Sequence, residues 1–96
     1  MLSGAPEANA MQQVLMYTTP FCGFCYMAKR LLAAKGVAYT EVNVMTAPGK
    51  RVEMISRTGR HTVPQIFIGE THVGGFNELE GLEQAGRLDS LLEATP

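Results

Sequence analysis

Val14-Leu15-Met16-Tyr17 is a continuous apolar run, and Thr18-Thr19-Pro20 breaks it. A short run of this kind predicts a strand buried on both faces. From Cys22 the period changes. Met27, Leu31 and Ala34 fall at helical spacing, and so do Ala28 and Leu32, with Gly36 as the stop. Residues 38–44 alternate, with Ala38, Thr40, Val42 and Val44 on one face and Tyr39, Glu41 and Asn43 on the other. That suits a half-buried strand near a sheet edge. Pro48 favours a helix start, Val52 and Ile55 give a partial apolar stripe, and Gly59 ends it. Residues 65–68 and 71–74 read as short strands, joined through Gly69-Glu70 as a two-residue hairpin turn with glycine first. Asn77 with Glu80 resembles a capping box. Leu79 and Leu82 carry that helix to about Gly86, and Leu88, Leu91 and Leu92 suggest a further helical turn. The predicted order is β-α-β-α-β-β-α. The first two strands are expected to be parallel across a helical crossover and the last pair antiparallel. The expected class is α/β, a small four-stranded mixed sheet with helices on both faces.

Composition narrows the function classes. The chain has 96 residues, 46% hydrophobic and 18% charged, which fits one small domain. Lys+Arg is 8 and Asp+Glu is 9, for a net charge of -1, so no broad basic face is implied and nucleic acid is a poor default partner. No apolar run approaches the ~18–20 residues that span a bilayer, so no membrane association is expected. Residues 1–12 are small and polar, with Pro6 and no periodicity. They read as a flexible tail ahead of a domain at 13–96, without the basic and apolar regions of an export signal. The default compartment is then a reducing cytoplasm.

The two cysteines carry the chemistry. Cys22 and Cys25 are too close for a structural staple, because a bridge between them closes almost no loop. Cys22-Gly23-Phe24-Cys25 lies between a predicted strand and a predicted helix, the setting of a redox C-x-x-C. Free N–H groups and the helix dipole would favour a Cys22 thiolate, depressing its pKa. Cys25, about one turn on, could attack a mixed disulfide formed at Cys22. A structural zinc site would need two more ligands. His61 and His72, with ten residues between them, do not match a finger spacing. Two ordinary buried thiols are the remaining alternative.

Three motifs now resemble those of a small bacterial dithiol glutaredoxin. They are Tyr17-Thr18-Thr19-Pro20-Phe21-Cys22-Gly23-Phe24-Cys25, Thr62-Val63-Pro64-Gln65-Ile66-Phe67-Ile68 and Gly74-Gly75-Phe76-Asn77-Glu78-Leu79, in the family's order. The similarity runs from about Val14 to Leu92. It implies a thioredoxin-like fold and glutathione-dependent reduction of protein–glutathione mixed disulfides and protein disulfides, with Cys22 as nucleophile and Cys25 as resolving thiol. The implied partners are glutathione and glutathionylated or disulfide-containing proteins, met as a monomer. By position, Thr62-Val63-Pro64 looks like the family's cis-proline segment, whose Val63 backbone would pair with the cysteinyl part of glutathione. From the residues alone, Pro64 is a strand-start proline. Gly74-Gly75 permits close backbone approach or an ordinary turn. The N–H groups of Phe76 and Asn77 would hold the γ-glutamyl carboxylate, as helix N-termini hold anions. Glu78 would hold the ligand's amino group or serve only as a favourable first-turn charge. Arg51 matches a position that contacts the glycyl carboxylate; otherwise it is a solvated arginine on a helix face. Phe24 is read as a rim for protein substrates or an exposed aromatic. His72 is expected to be a strand residue with no catalytic part, and Met16, Met27 and Met54 core fillers.

Two departures from the family pattern matter. Where the family commonly has Lys, three residues before the nucleophile, this chain has Thr19. Arg51, or in second place His61 or Arg60, is left to supply the cation, and the pKa depression at Cys22 is expected to be smaller than usual. Gly23 and Phe24 replace the usual Pro and Tyr. The resulting Cys-Gly-Phe-Cys stands halfway to the Cys-Gly-Phe-Ser of monothiol glutaredoxins. That resemblance implies an alternative, a [2Fe–2S] carrier in which Cys22 and glutathione from each of two protomers ligate the cluster.

Overall fold

The structure is a computed structural model and describes residues 11–93 of the chain. The elements are β1 (Val14–Thr18), α1 (Gly23–Ala34), β2 (Thr40–Asn43), α2 (Pro48–Thr58), β3 (Gln65–Ile68), β4 (Thr71–Gly74), α3 (Phe76–Gln84) and α4 (Leu88–Glu93). The sheet order is β2-β1-β3-β4. β1 and β2 are parallel, with Leu15 opposite Thr40. β1 with β3, and β3 with β4, are antiparallel. The expected mixed sheet is therefore present, with β2 at one edge.

Period-two alternation divides the strands between two cores. Met16, Ile66 and Ile68 face a cluster with Ala28 and Leu32 of α1, Phe76 and Leu79 of α3, and Leu88 and Leu92 of α4. Tyr17 and Phe67 face the other side, with Val44 and Met54 of α2. Helices on both faces explain why β1 reads as continuously apolar. Truncating fully buried Leu32, Ile66 or Leu79 to alanine costs about 2–5 kcal/mol, a large share of a small domain's stability.

Glycines end the elements where the pattern places them. Gly59 caps α2 at φ 70°, its N–H donating to the Ile55 carbonyl at 2.7 Å. Gly69 opens the β3–β4 turn at φ 58°, a left-handed conformation that glycine adopts without a Cβ clash.

Several expectations are corrected. Met27 is not a core filler but 45% exposed. The buried stripe of α1 is Cys25, Ala28 and Leu32, whereas Met16 and Met54 are fully buried. The capping box is not Asn77 with Glu80. The N-cap is Gly75, and Glu78 closes the turn by accepting from the Gly75 N–H at 2.7 Å. Of the expected tail, residues 1–10 lie outside the described residues, and the Gln12 N–H donates to the Leu92 carbonyl at 2.7 Å. Among the described residues no helix is long and apolar enough to cross a membrane.

Candidate active site around Cys22 and Cys25

β1 delivers the chain into a tight loop in which Phe21 takes φ 58° with its ring fully exposed. Cys22 follows as the N-cap of α1, in extended conformation, and its Sγ accepts the Cys25 N–H at 3.0 Å. That contact places a backbone donor on the sulfur, where the helix dipole also favours negative charge. No acidic residue lies in the first turn of α1 to oppose it. Cys22 is half-buried, Cys25 is 2% exposed, and the two are joined as a disulfide with Cα atoms 5.2 Å apart. The two sulfurs thus differ in access. Gly23 has open space where a side chain would stand.

A groove of about 260 Å³ lies beside Cys22, lined by Phe24, Arg60, Thr62, Val63, Pro64, Gly75, Phe76, Asn77 and Glu78. The Val63 carbonyl oxygen is 3.8 Å from Cys22 Sγ, and the Val63–Pro64 bond is cis. The loop is held from beneath by a residue that sequence reasoning passed over. Gln65 is fully buried, and its Nε2 donates to the Thr62 carbonyl at 3.0 Å and to Thr62 Oγ1 at 3.2 Å. Its Oε1 meets His72 Nε2 at 2.7 Å. With the Gln65 amide N–H groups given to Thr62, the network assigns the proton to His72 Nε2. Burial, and then the charge of Arg60, holds the His72 imidazole below its usual pKa, favouring the neutral ring. His72 is thus a β4 residue that supports the loop. The available signal was a polar glutamine in an otherwise apolar strand.

The opposite wall is the start of α3. Gly74 takes φ 116°, and a Cβ there would stand 2.8 Å from Glu78 Oε1 and 3.0 Å from Arg60 Nη1. The N–H groups of Phe76 and Asn77, in the first turn, have no intrahelical acceptor and lie at the groove. Phe24 stacks on Phe76 with centroids 6.3 Å apart, tying the starts of α1 and α3 together. Arg60 Nη1 stands 3.8 Å from Glu78 Oε1.

The groove therefore gathers Phe24, Thr62, Val63, Pro64, Gly75, Phe76, Asn77 and Glu78, together with Arg60, the second-place cation. Thr19 lies instead in a neighbouring hollow of about 620 Å³ that contains Cys22, Cys25, Lys29 and Glu41. Arg51 lines neither; its Nη2 donates to the His61 carbonyl at 3.4 Å. Among the described residues no group of three or more His, Cys, Asp or Glu side chains is placed to hold a metal ion.

A four-stranded mixed sheet with a Cys-x-x-C at the mouth of its first helix, facing a cis-proline loop, defines the thioredoxin-like thiol oxidoreductases. Known proteins narrow this further. The family profile described as Glutaredoxin matches residues 14–73. A glutaredoxin of Neisseria meningitidis serogroup A is 57% identical over 83 residues, 85% of this chain and 98% of that protein. Glutaredoxin 3 of Escherichia coli K12 is 47% identical over 83 residues, 86% of this chain and all of that protein. The solution structure of a glutaredoxin from Brucella melitensis superposes with a TM-score of 0.79 at 49% identity, covering 88% of this chain and 92% of that one. The chain belongs to the glutaredoxin family, whose members are thiol oxidoreductases.

Proposed function

We propose that this glutaredoxin uses glutathione to reduce protein–glutathione mixed disulfides and protein disulfides, acting as a monomer in a reducing cytoplasm. The observation that carries this reading is the half-buried Cys22 sulfur, 3.8 Å from the Val63 carbonyl and beside a groove that offers backbone groups, with Arg60 and Glu78 as its charges. A tripeptide thiol with a carboxylate at each end suits that groove. Its cysteinyl backbone pairs with Val63 as an added strand. Its γ-glutamyl carboxylate takes the N–H groups of Phe76 and Asn77 with help from Arg60, and Glu78 receives its amino group. Phe24, Thr62, Pro64 and Gly75 shape the walls. Arg51, which lies outside the groove and donates to the His61 carbonyl, is assigned to the glycyl end by the family pattern alone, and Thr19 brings no charge there.

In the reaction, the Cys22 thiolate attacks the glutathione sulfur of a protein–glutathione disulfide. The Cys22–glutathione disulfide forms, and the protein leaves as a thiolate that takes up a proton. A second glutathione thiolate attacks the glutathione sulfur held on Cys22. Glutathione disulfide departs, and Cys22 is regenerated as a thiolate. For a protein disulfide, the Cys22 thiolate first forms a mixed disulfide with the substrate. Cys25 then attacks Cys22 Sγ and releases the substrate as a thiolate that takes up a proton. Two glutathione thiols reduce the Cys22–Cys25 disulfide and leave as glutathione disulfide. The test is glutathione-coupled turnover on a glutathionylated protein. Turnover that saturates with glutathione and vanishes in Cys22→Ser is expected, and turnover indifferent to glutathione would overturn the reading.

The [2Fe–2S] alternative does not gain on the donor set of this chain. That alternative takes one cysteine and one glutathione thiolate from each of two protomers. The half-buried Cys22 above the buried Cys25 meets this count just as it meets the needs of disulfide exchange, so the donor set does not separate the two readings.

A further inference from the structure

Cys25 and Lys29 are one helical turn apart on the same side of α1. Cys25 is buried, and Lys29 Nζ reaches across to Glu41 Oε2 of β2 at 2.7 Å. The fully buried Thr18 hydroxyl donates to the same carboxylate oxygen at 2.7 Å. These contacts anchor the ion pair to two strands and a helix at once. Lys29 and Glu41 line the same hollow as the two cysteines. Tyr26 is the remaining titratable group on that lining, and β1 adds the Thr18 hydroxyl beneath Glu41. The groove used in the proposed function lies elsewhere, so the pair has no part in it.

A buried thiol ionises reluctantly, because burial disfavours the charged form. Cys25 must nevertheless become a thiolate to resolve a mixed disulfide. We infer that Lys29 and Glu41 are opposed positioning residues for Cys25, Lys29 favouring its thiolate and Glu41 fixing and moderating that charge. The inference rests on the proposed reading of Cys25 as the resolving thiol. In the step concerned, the Cys25 thiol loses its proton to solvent through the hollow. The thiolate attacks Cys22 Sγ, the Cys22–Cys25 bond forms, and the bond from Cys22 to the substrate sulfur breaks. The substrate leaves as a thiolate and takes up a proton. Two enzyme thiols are thereby oxidised and one substrate disulfide is reduced.

The experiment isolates Cys25 in a Cys22→Ser background and follows its ionisation by ultraviolet thiolate absorbance and by alkylation rate against pH. Adding Lys29→Gln leaves the Glu41 charge unopposed. The Cys25 thiolate fraction at a fixed pH below its midpoint should fall about tenfold. Adding Glu41→Gln instead should raise it about threefold. Lys29→Arg, which keeps the cation, should restore the starting curve. Opposite shifts are the signature, since a pair that only holds α1 against β2 would move both variants the same way. Shifts of one sign, no shift, or a Lys29→Arg curve matching Lys29→Gln would overturn the inference. The titration uses no glutathione. Loss of glutathione-coupled turnover in the wild type would therefore sink the proposed function alone, and same-sign shifts with intact turnover would sink this inference alone.

Discussion

Two hollows border the active-site cysteines, and they are built by opposite means. The groove beside Val63 is made of irregular backbone, a cis-proline loop on one side and a glycine-capped helix start on the other. It offers carbonyl and N–H groups, with Arg60 and Glu78 as its charges. The hollow behind Cys25 is walled by the loop residues Thr19, Pro20 and Phe21 and by side chains from α1 and β2, with the Lys29–Glu41 pair at full hydrogen-bonding distance. Backbone groups in fixed geometry recognise the main chain of a ligand whatever its side chains are. Charges on regular elements hold their distance from a sulfur through a reaction cycle. The first hollow is suited to choosing what binds, the second to setting how readily a thiol ionises.

The largest expected effect separates the two sulfurs. Cys22→Ser should abolish turnover on every disulfide substrate. Cys25→Ser should keep the reduction of glutathionylated proteins and lose that of intramolecular protein disulfides. Parallel assays on one substrate of each kind read the difference, and equal losses in Cys25→Ser would erase the distinction between the sides.

The next effect tests the backbone side. Gly74→Ala puts a Cβ at φ 116° and within 3.0 Å of both Glu78 and Arg60. A loss of about 1–3 kcal/mol in chemical denaturation is expected, with a higher KM for glutathione. The same change at Gly23, where the space is open, should spare KM.

How far the sequence reveals these two sides follows from their construction. The strands were legible because alternation and glycine stops are local, and residues 65–68 and 71–74 match β3 and β4. The start of α3 at Phe76 agrees with the sequence, but its cap does not: a glycine N-cap has no side chain to announce it, so the pattern of polar caps points to Asn77 instead of Gly75. Met27 was misplaced because residues 27/31/34 and 28/32 are both valid helical stripes, and periodicity alone cannot choose between them. Burial of Cys25, in line with Ala28 and Leu32, decides it. Gln65 and Arg60 join the site through contacts that span the loop, α3 and β4. The Lys29–Glu41 pair depends on which residue of β2 the packing of α1 brings to Lys29, and no local spacing encodes that.

A smaller effect concerns the missing cation. Thr19 lies with Cys22 in the second hollow. Thr19→Lys should raise the Cys22 thiolate fraction near its midpoint about threefold to tenfold, read by absorbance in a Cys25→Ser background. Arg60→Gln should instead raise KM for glutathione about threefold to tenfold, leaving the Cys22 titration in place. If Arg60→Gln shifted that titration as strongly as Thr19→Lys, the division of labour between the two hollows would fail.

The smallest effect is on stability against acid. The Lys29 ammonium, and then the Thr18 hydroxyl, holds the Glu41 carboxyl below its usual range. A carboxylate with a depressed folded pKa contributes stability above its unfolded value. That contribution is lost as pH falls through the folded value, where Glu41 takes up its proton. Glu41 keeps 37% of its side chain exposed, so screening limits the pair to about 0.2–1 kcal/mol. Glu41→Gln should therefore be slightly less stable than wild type at neutral pH and should converge with it in acid. Urea midpoints measured across the carboxylate range would show this. A constant gap between the two curves would mean that Glu41 contributes packing alone, and that the hollow behind Cys25 carries no charge pair of consequence.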